Sequence, residues 1–146
     1  MGSPDTAPDA ALRAAREALV ARHVEAEMQG DAAAVVATFK VPRYDLAASG
    51  DLLEGAEAVA RRVDELATAM PGATLEIVAL HHADEAVIVE TRTRGIHRAP
   101  LLGVPPTGRP YETRGVAIFR FDGADLIEEA VFWDRQRLLE QLREEG

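Results

Sequence analysis

The hydrophobic period of this sequence changes once, at Pro71-Gly72, and that change restricts the possible folds more than any other feature. Ahead of it, Leu12, Ala15, Leu19, His23 and Ala26, and later Ala56, Val59, Val63, Leu66 and Met70, recur at steps of three and four, the spacing of one helix face. Beyond it, residues 74–82, 86–97, 110–121 and 125–134 are rich in Val, Ile, Thr and aromatics. Asp84-Glu85, the Pro105-Pro106-Thr107-Gly108 turn and Asp122-Gly123 separate these four runs, which therefore read as successive hairpins of one antiparallel sheet. Helices first and a meander afterwards is the α+β arrangement, with helices covering one face of the sheet. If that sheet curls, the architecture is a cone-shaped barrel in which N-terminal helices pack on a strongly curved antiparallel sheet. Such a cone, open at one end, can hold a small molecule.

Punctuation sets the element boundaries. Residues 1–8 are small, polar and proline-bearing and read as a disordered tail, leaving 9–146 as one domain. Gly30 supplies a left-handed stop for the first helix, and Asp31 can cap a shorter one running through Phe39. Between Lys40 and Leu53 the pattern breaks, so this stretch reads as a loop or short extended segment. Leu138, Leu139 and Leu142 mark a short C-terminal amphipathic helix.

Sixteen basic against twenty-five acidic residues give a net charge of -9 with no basic stripe, which argues against nucleic acid and anionic membrane as partners. There is no cysteine, so neither disulfides nor thiolate zinc sites can form. Nothing at the N-terminus reads as a signal peptide or a membrane span, and a cytoplasmic location is expected.

Four histidines narrow the search for chemistry. Alternation puts Val87, Val89, Thr91, Thr93, Gly95 and His97 on one strand face, the more apolar one, which should line the cavity and leave His97 at its mouth as a proton donor or acceptor. The competing role for His97 is a hydrogen bond to loop backbone. His81 and His82 are adjacent and point to opposite faces, no metal-ligand spacing occurs, and neither metal nor cofactor is expected. His23 reads as a core residue on the helical stripe.

In the last strand, alternation separates Leu126, Glu128, Ala130, Phe132 and Asp134 from Ile127, Glu129, Val131 and Trp133, and neither set is purely apolar. Asp134 follows Phe132 and Trp133, whose desolvation would raise its pKa and suit it to acid-base work; alternatively it caps the C-terminal helix. Tyr44 and Arg43, in the irregular crossing, could orient an enolate oxygen, with Phe39, Phe119, Phe132 and Trp133 as apolar walls. Large apolar residues at both parities of the last two strands imply that the convex face also needs cover, which predicts a homodimer.

Taken together, Gly95-Ile96-His97, the Gly103 to Gly108 turn, Trp133-Asp134 and the leucine-rich Leu138 to Leu142 tail resemble the SnoaL-like polyketide cyclase and ester-cyclase group of the nuclear-transport-factor-2-like superfamily. That resemblance implies a three-helix cone, a dimer through the outer sheet face, and a carboxylate deep in the cone serving a cofactor-free aldol closure. Asp134 is the residue it matches to that carboxylate, while Phe119 stands where those cyclases often carry a histidine. The function expected is a cofactor-independent cyclase, lyase or isomerase acting on a hydrophobic carbonyl compound, with a non-catalytic small-molecule binder as the alternative.

Overall fold

The computed structural model describes residues 7–143. Residues 1–6 of the expected tail lie outside the described residues, whereas Pro8 is buried and its carbonyl accepts a hydrogen bond from Arg13 Nε at 3.1 Å. Helix α1 (Ala10–Gln29) starts at Asp9, whose carboxylate accepts from the Leu12 amide at 2.8 Å, and ends at Gly30 with φ 67°. Asp31 caps α2 (Ala32–Thr38) in the same way, accepting from the Ala34 amide. The crossing segment, expected as a loop or short extended stretch, forms a hairpin of β1 (Arg43–Leu46) and β2 (Asp51–Glu54). Strands of four residues are too short for alternation to announce them. Helix α3 (Ala56–Ala69) follows, then β3 (Thr74–His82), β4 (Ala86–Ile96), β5 (Pro110–Asp122), β6 (Asp125–Trp133) and α4 (Arg135–Arg143).

The strands form one sheet in the order β2-β1-β6-β5-β4-β3, antiparallel throughout except where β1 runs parallel to β6. Two bulges bend it. One extra residue, Val78, interrupts β3 against β4, and another, Ile127, interrupts β6 against β5, where Arg120 pairs with Glu128 but Phe121 pairs with Leu126. Val20, Val24, Val35, Val59 and Val63 of the helices pack on Val87, Val89, Phe119, Phe121 and Leu126 of the concave face. The buried Arg16 holds the narrow end shut, donating to the Gly123 and Asp84 carbonyls, both at 2.9 Å, so that one side chain ties α1 to two hairpin turns.

At the wide end, Leu138 and Leu142 of α4 form a second apolar cluster with Val104, Tyr111, Met70, Leu101 and Trp133. Helix α4 thus lies over the mouth, and the convex face keeps Phe132 44% exposed and Val78 49% exposed. Among the described residues no helix is long and apolar enough to cross a membrane.

Gly30 shows how tightly the helices are fitted. A Cβ there would lie 2.8 Å from Ala67 Cβ, and the positive φ disfavours any side chain. Neither atom belongs to a flexible side chain that can swing away, so Gly30→Ala is expected to destabilise the fold by about 2 kcal/mol, roughly half from the left-handed backbone and half from the forced separation of α1 from α3. Chemical denaturation measures this, and a change under about 0.5 kcal/mol would show that the two helices part freely.

Candidate functional site

The helices and the concave sheet enclose a cavity of about 360 Å³. Glu27 at the end of α1, Tyr44 and Leu46 of β1, and Glu129 and Val131 of β6 lie toward its floor; Arg62, Val63, Leu66 and Met70 of α3 form one wall. Thr91 and Thr93 of β4 and Thr113 and Ala117 of β5 line the opposite wall, and Leu101, Leu102, Tyr111, Trp133 and Leu138 surround the mouth. Gly95 leaves room for the Tyr111 ring at that mouth, because a Cβ there would overlap the Tyr111 hydroxyl.

The floor carries charge, and a bulge is the reason. Ile127 is the extra residue in β6, so the inward face runs Leu126, Glu129, Val131, Trp133, opposite Phe121, Phe119, Ala117 and Gly115. Without the bulge, Leu126 and Glu129 could not share a face. Glu129 is consequently only 3% exposed, yet it lines the cavity. Its carboxylate lies 3.3 Å from Nε2 of His23, which is fully buried, and Glu27, one helical turn beyond His23, lies 3.2 Å from the same nitrogen. Tyr44, next to Glu129 in the β1–β6 register, donates its hydroxyl to the other oxygen of Glu27 at 3.1 Å.

Hydrogen bonds assign the protons of His23. The Thr38 hydroxyl donates to the Val35 carbonyl at 2.6 Å, so its oxygen must accept from His23 Nδ1–H at 2.7 Å. Nε2 faces two carboxylates and is also a donor, which makes the ring an imidazolium. Burial by itself would lower its pKa, but the charges and hydrogen bonds of Glu27 and Glu129 prevail and raise it to about 10. Edge-on contacts with Phe39 and Phe119, at centroid distances of 5.1 and 5.3 Å, enclose the ring. Glu129 moves the other way from an ordinary ion-paired carboxylate. Burial and then the charge of Glu27 raise it to about 7, against the opposing pull of His23. Burial likewise pushes the Tyr44 hydroxyl well above its usual value, keeping it a neutral donor. The ligating atoms of His23, Glu27 and Glu129 lie within 4.8 Å of one another, the donor set a divalent cation could use; the hydrogen-bond geometry has the Nε2 proton at their centre.

Several residues expected at the site lie elsewhere. Asp134, matched to the cavity carboxylate, is exposed beyond the end of β6 and caps α4, accepting from the Arg137 amide at 2.9 Å. A strand end that feeds directly into a helix puts this Asp where the free amides are, in solvent and outside the cavity lining. His97 is fully buried but does not line the cavity. Its Nδ1 accepts from the Thr107 amide at 3.3 Å and contacts Thr107 Oγ1 at 3.1 Å, while its backbone pairs with Gly108 and Arg109, so it pins the Pro-Pro-Thr-Gly loop. Arg43 is turned to the outer side, between Glu54 and Glu128, the latter at 2.7 Å. Phe39 and Phe119 support His23 from behind instead of walling the cavity. Tyr44 and Trp133 do line it, and Phe132 borders it while alternating toward the convex side.

Glu27, Glu129, Arg62 and the charged role of His23 escaped the sequence reading. The sequence carried only a partial signal for the first pair: Glu27 follows the stripe residue His23 by four, and Glu128 and Glu129, adjacent in a strand, point to opposite faces without alternation saying which turns inward.

Residues 14–142 match the sequence model of the SnoaL-like polyketide cyclases. No curated protein matches the sequence. Among solved structures, a protein of Jannaschia sp. CCS1 classed as a SnoaL-like polyketide cyclase superposes with a TM-score of 0.83 at 20% identity, over 95% of this chain and 99% of that one. IdmH of Streptomyces antibioticus, classed as a polyketide cyclase, gives 0.72 at 22% identity, over 87% and 97%. An NTF2-like protein of Burkholderia thailandensis E264 gives 0.71 at 24% identity, over 87% and 96%. At these identities the likeness shows a shared fold.

Proposed function

The chain belongs to the SnoaL-like polyketide cyclase family, and on that basis we propose that it is a cofactor-independent enzyme whose Glu129 serves as acid and base on a hydrophobic carbonyl compound. One observation carries this reading: a carboxyl group that is buried, lines an otherwise largely apolar cavity and is raised to about 7, so that both of its forms are populated at neutral pH. Ionised Glu129 takes a proton from the carbon alpha to a carbonyl, and the C–H electron pair passes into the enolate. The enolate carbon then attacks a second carbonyl of the same molecule, forming the C–C bond, and Glu129 returns its proton to the new alkoxide. Proton and charge balance without a cofactor. His23, held by Thr38, keeps its Nε2–H on Glu129 and fixes the carboxylate against rotation. The apolar walls exclude water that would quench the enolate.

The test is deuterium exchange at the alpha carbon of 1-tetralone in D₂O, followed by proton NMR. Exchange well above the buffer rate supports the acid-base role. Saturable binding with exchange at the buffer rate would leave a non-catalytic binding protein.

We also propose that the convex sheet face pairs two copies of the chain. Val116 lies across from Phe132, and Ile118 across from Ala130 and Ile88, making an apolar row on which Phe132 is exposed. Arg92, Arg94 and Glu112, already ion-paired, would form its polar rim. Light scattering at micromolar concentration is expected to return twice the mass of the 15.7 kDa chain, and Phe132→Glu to halve that mass. A monomer mass for the unmodified protein defeats this pairing.

A further inference from the structure

We infer that Arg62 recognises an anion inside the cavity, and that the ligand is an apolar ring system bearing a planar, delocalised oxyanion, either a carboxylate or the enolate of a 1,3-dicarbonyl. Several other cations have partners: Lys40, Arg43, Arg92, Arg94 and Arg120 sit within ion-pair distance of carboxylates, and Arg16 donates to two carbonyls, while Arg135 also has a buried Nε with no partner but does not line the cavity. Arg62 differs. It is half-buried in the cavity wall, its Nε is buried with no hydrogen-bond partner, and among the described residues no carboxylate lies within ion-pair distance of it. The groups that face it are Glu65 on its own helix, Tyr44 of β1 and Asp51 of β2, which act on it only through space.

A guanidinium withdrawn from water without a counter-ion destabilises the empty protein, so its counter-charge is expected to come from what the cavity binds. Its planar fork of donors matches two oxygens in one plane, as a carboxylate or an enolised 1,3-dicarbonyl presents them. Position supports the second half of the inference. Arg62 lines the same cavity as Glu129 and its register partner Tyr44, so an oxyanion held by Arg62 shares that cavity with the Glu129 carboxyl. An enolate formed by Glu129 would develop its charge there. The inference rests on the Glu129 reading for where the reacting carbon lies, and not for the recognition of the anion.

The experiment is calorimetric titration with 2-naphthoate, its methyl ester, and 2-acetyl-1-tetralone as its enolate. The intact protein is expected to bind the naphthoate or the enolate about tenfold or more tightly than the ester, and the better of the two names the class. Arg62→Met should erase that preference and raise the Tm of the empty protein by a few degrees, because a desolvated charge is replaced by an apolar chain of similar length. Arg62→Lys should keep part of the preference. Equal binding of acid, enolate and ester, no binding of any probe, or a preference that survives in Arg62→Met overturns the inference. A lower Tm in Arg62→Met also overturns it, since that is the signature of a structural arginine. Glu129→Gln should leave the preference intact; a lost preference in Arg62→Met together with unchanged exchange in Glu129→Gln would remove the catalytic reading alone.

Discussion

Glu129→Gln is expected to slow alpha-proton exchange of bound 1-tetralone by about 10²- to 10⁴-fold, the range lost when a positioned general base is removed. The amide is nearly isosteric and can still accept from His23 Nε2–H, so the cavity should keep its shape and its affinity for the ketone. Loss of exchange with retained binding separates the proton transfer from the pocket. Asp134→Asn is the control that sequence reasoning alone would have chosen as the catalytic variant. Asn is itself a good cap and Asp134 faces solvent, so exchange should be unchanged and stability should move by well under 1 kcal/mol. If Asp134→Asn silences exchange while Glu129→Gln does not, the assignment of the acid-base group to the floor of the cone is wrong.

Stability is expected to fall as pH rises from about 5 to about 10, which is opposite to the behaviour of a protein dominated by salt-bridged carboxylates of lowered pKa. The sign follows from two groups. Glu129, raised from 4.5 to about 7, holds its proton in the folded state where the unfolded chain has already released it, so folding binds the extra proton and stability declines between those values. His23, raised from 6.5 to about 10, contributes fully below 6.5 and loses its contribution as pH climbs toward 10. The two share one cluster and titrate as a unit, so their effects do not simply add; a combined loss on the order of 4 kcal/mol is expected. Urea denaturation at pH 5.5, 7.5 and 9.5 reads this directly. His23→Gln should flatten the upper part of the curve while lowering stability at pH 5.5, because the Glu27 carboxylate is then left without its cation. A profile that is level or rises across this interval would mean that His23 is neutral in the folded protein, against the hydrogen bonds that surround it.

Much of the architecture was legible because it is written in local periods. Each of the four long strands falls within a residue or two of where alternation put it, and α1 starts and stops at Asp9 and Gly30, where capping chemistry places it. These features need only neighbours in the chain. The inward row of β4 followed too: Val87 and Val89 are buried, and Thr91 and Thr93 line the cavity. His97 broke that extrapolation, since β4 ends at Ile96 and the next residue already belongs to the loop it pins.

The site was the part that local reasoning could not reach. Strict alternation in DLIEEAVFW puts Leu126 and Glu129 on opposite faces, and the strand then offers no clean inner side. A single extra residue, Ile127, puts both on the inner side, but a bulge exists only relative to the partner strand and leaves no mark in one strand read alone. The protonation of His23 is decided at the same level. Its stripe position came from the helix period; its charge came from Glu27 one turn on, Glu129 more than a hundred residues away, and a Thr38 hydroxyl already committed to a carbonyl. Periodicity and capping, which act over a few residues, determined which elements form and which faces turn inward. Register and desolvation, which depend on distant chain segments meeting, decided which carboxylate stands at the floor of the cone and how its proton is held.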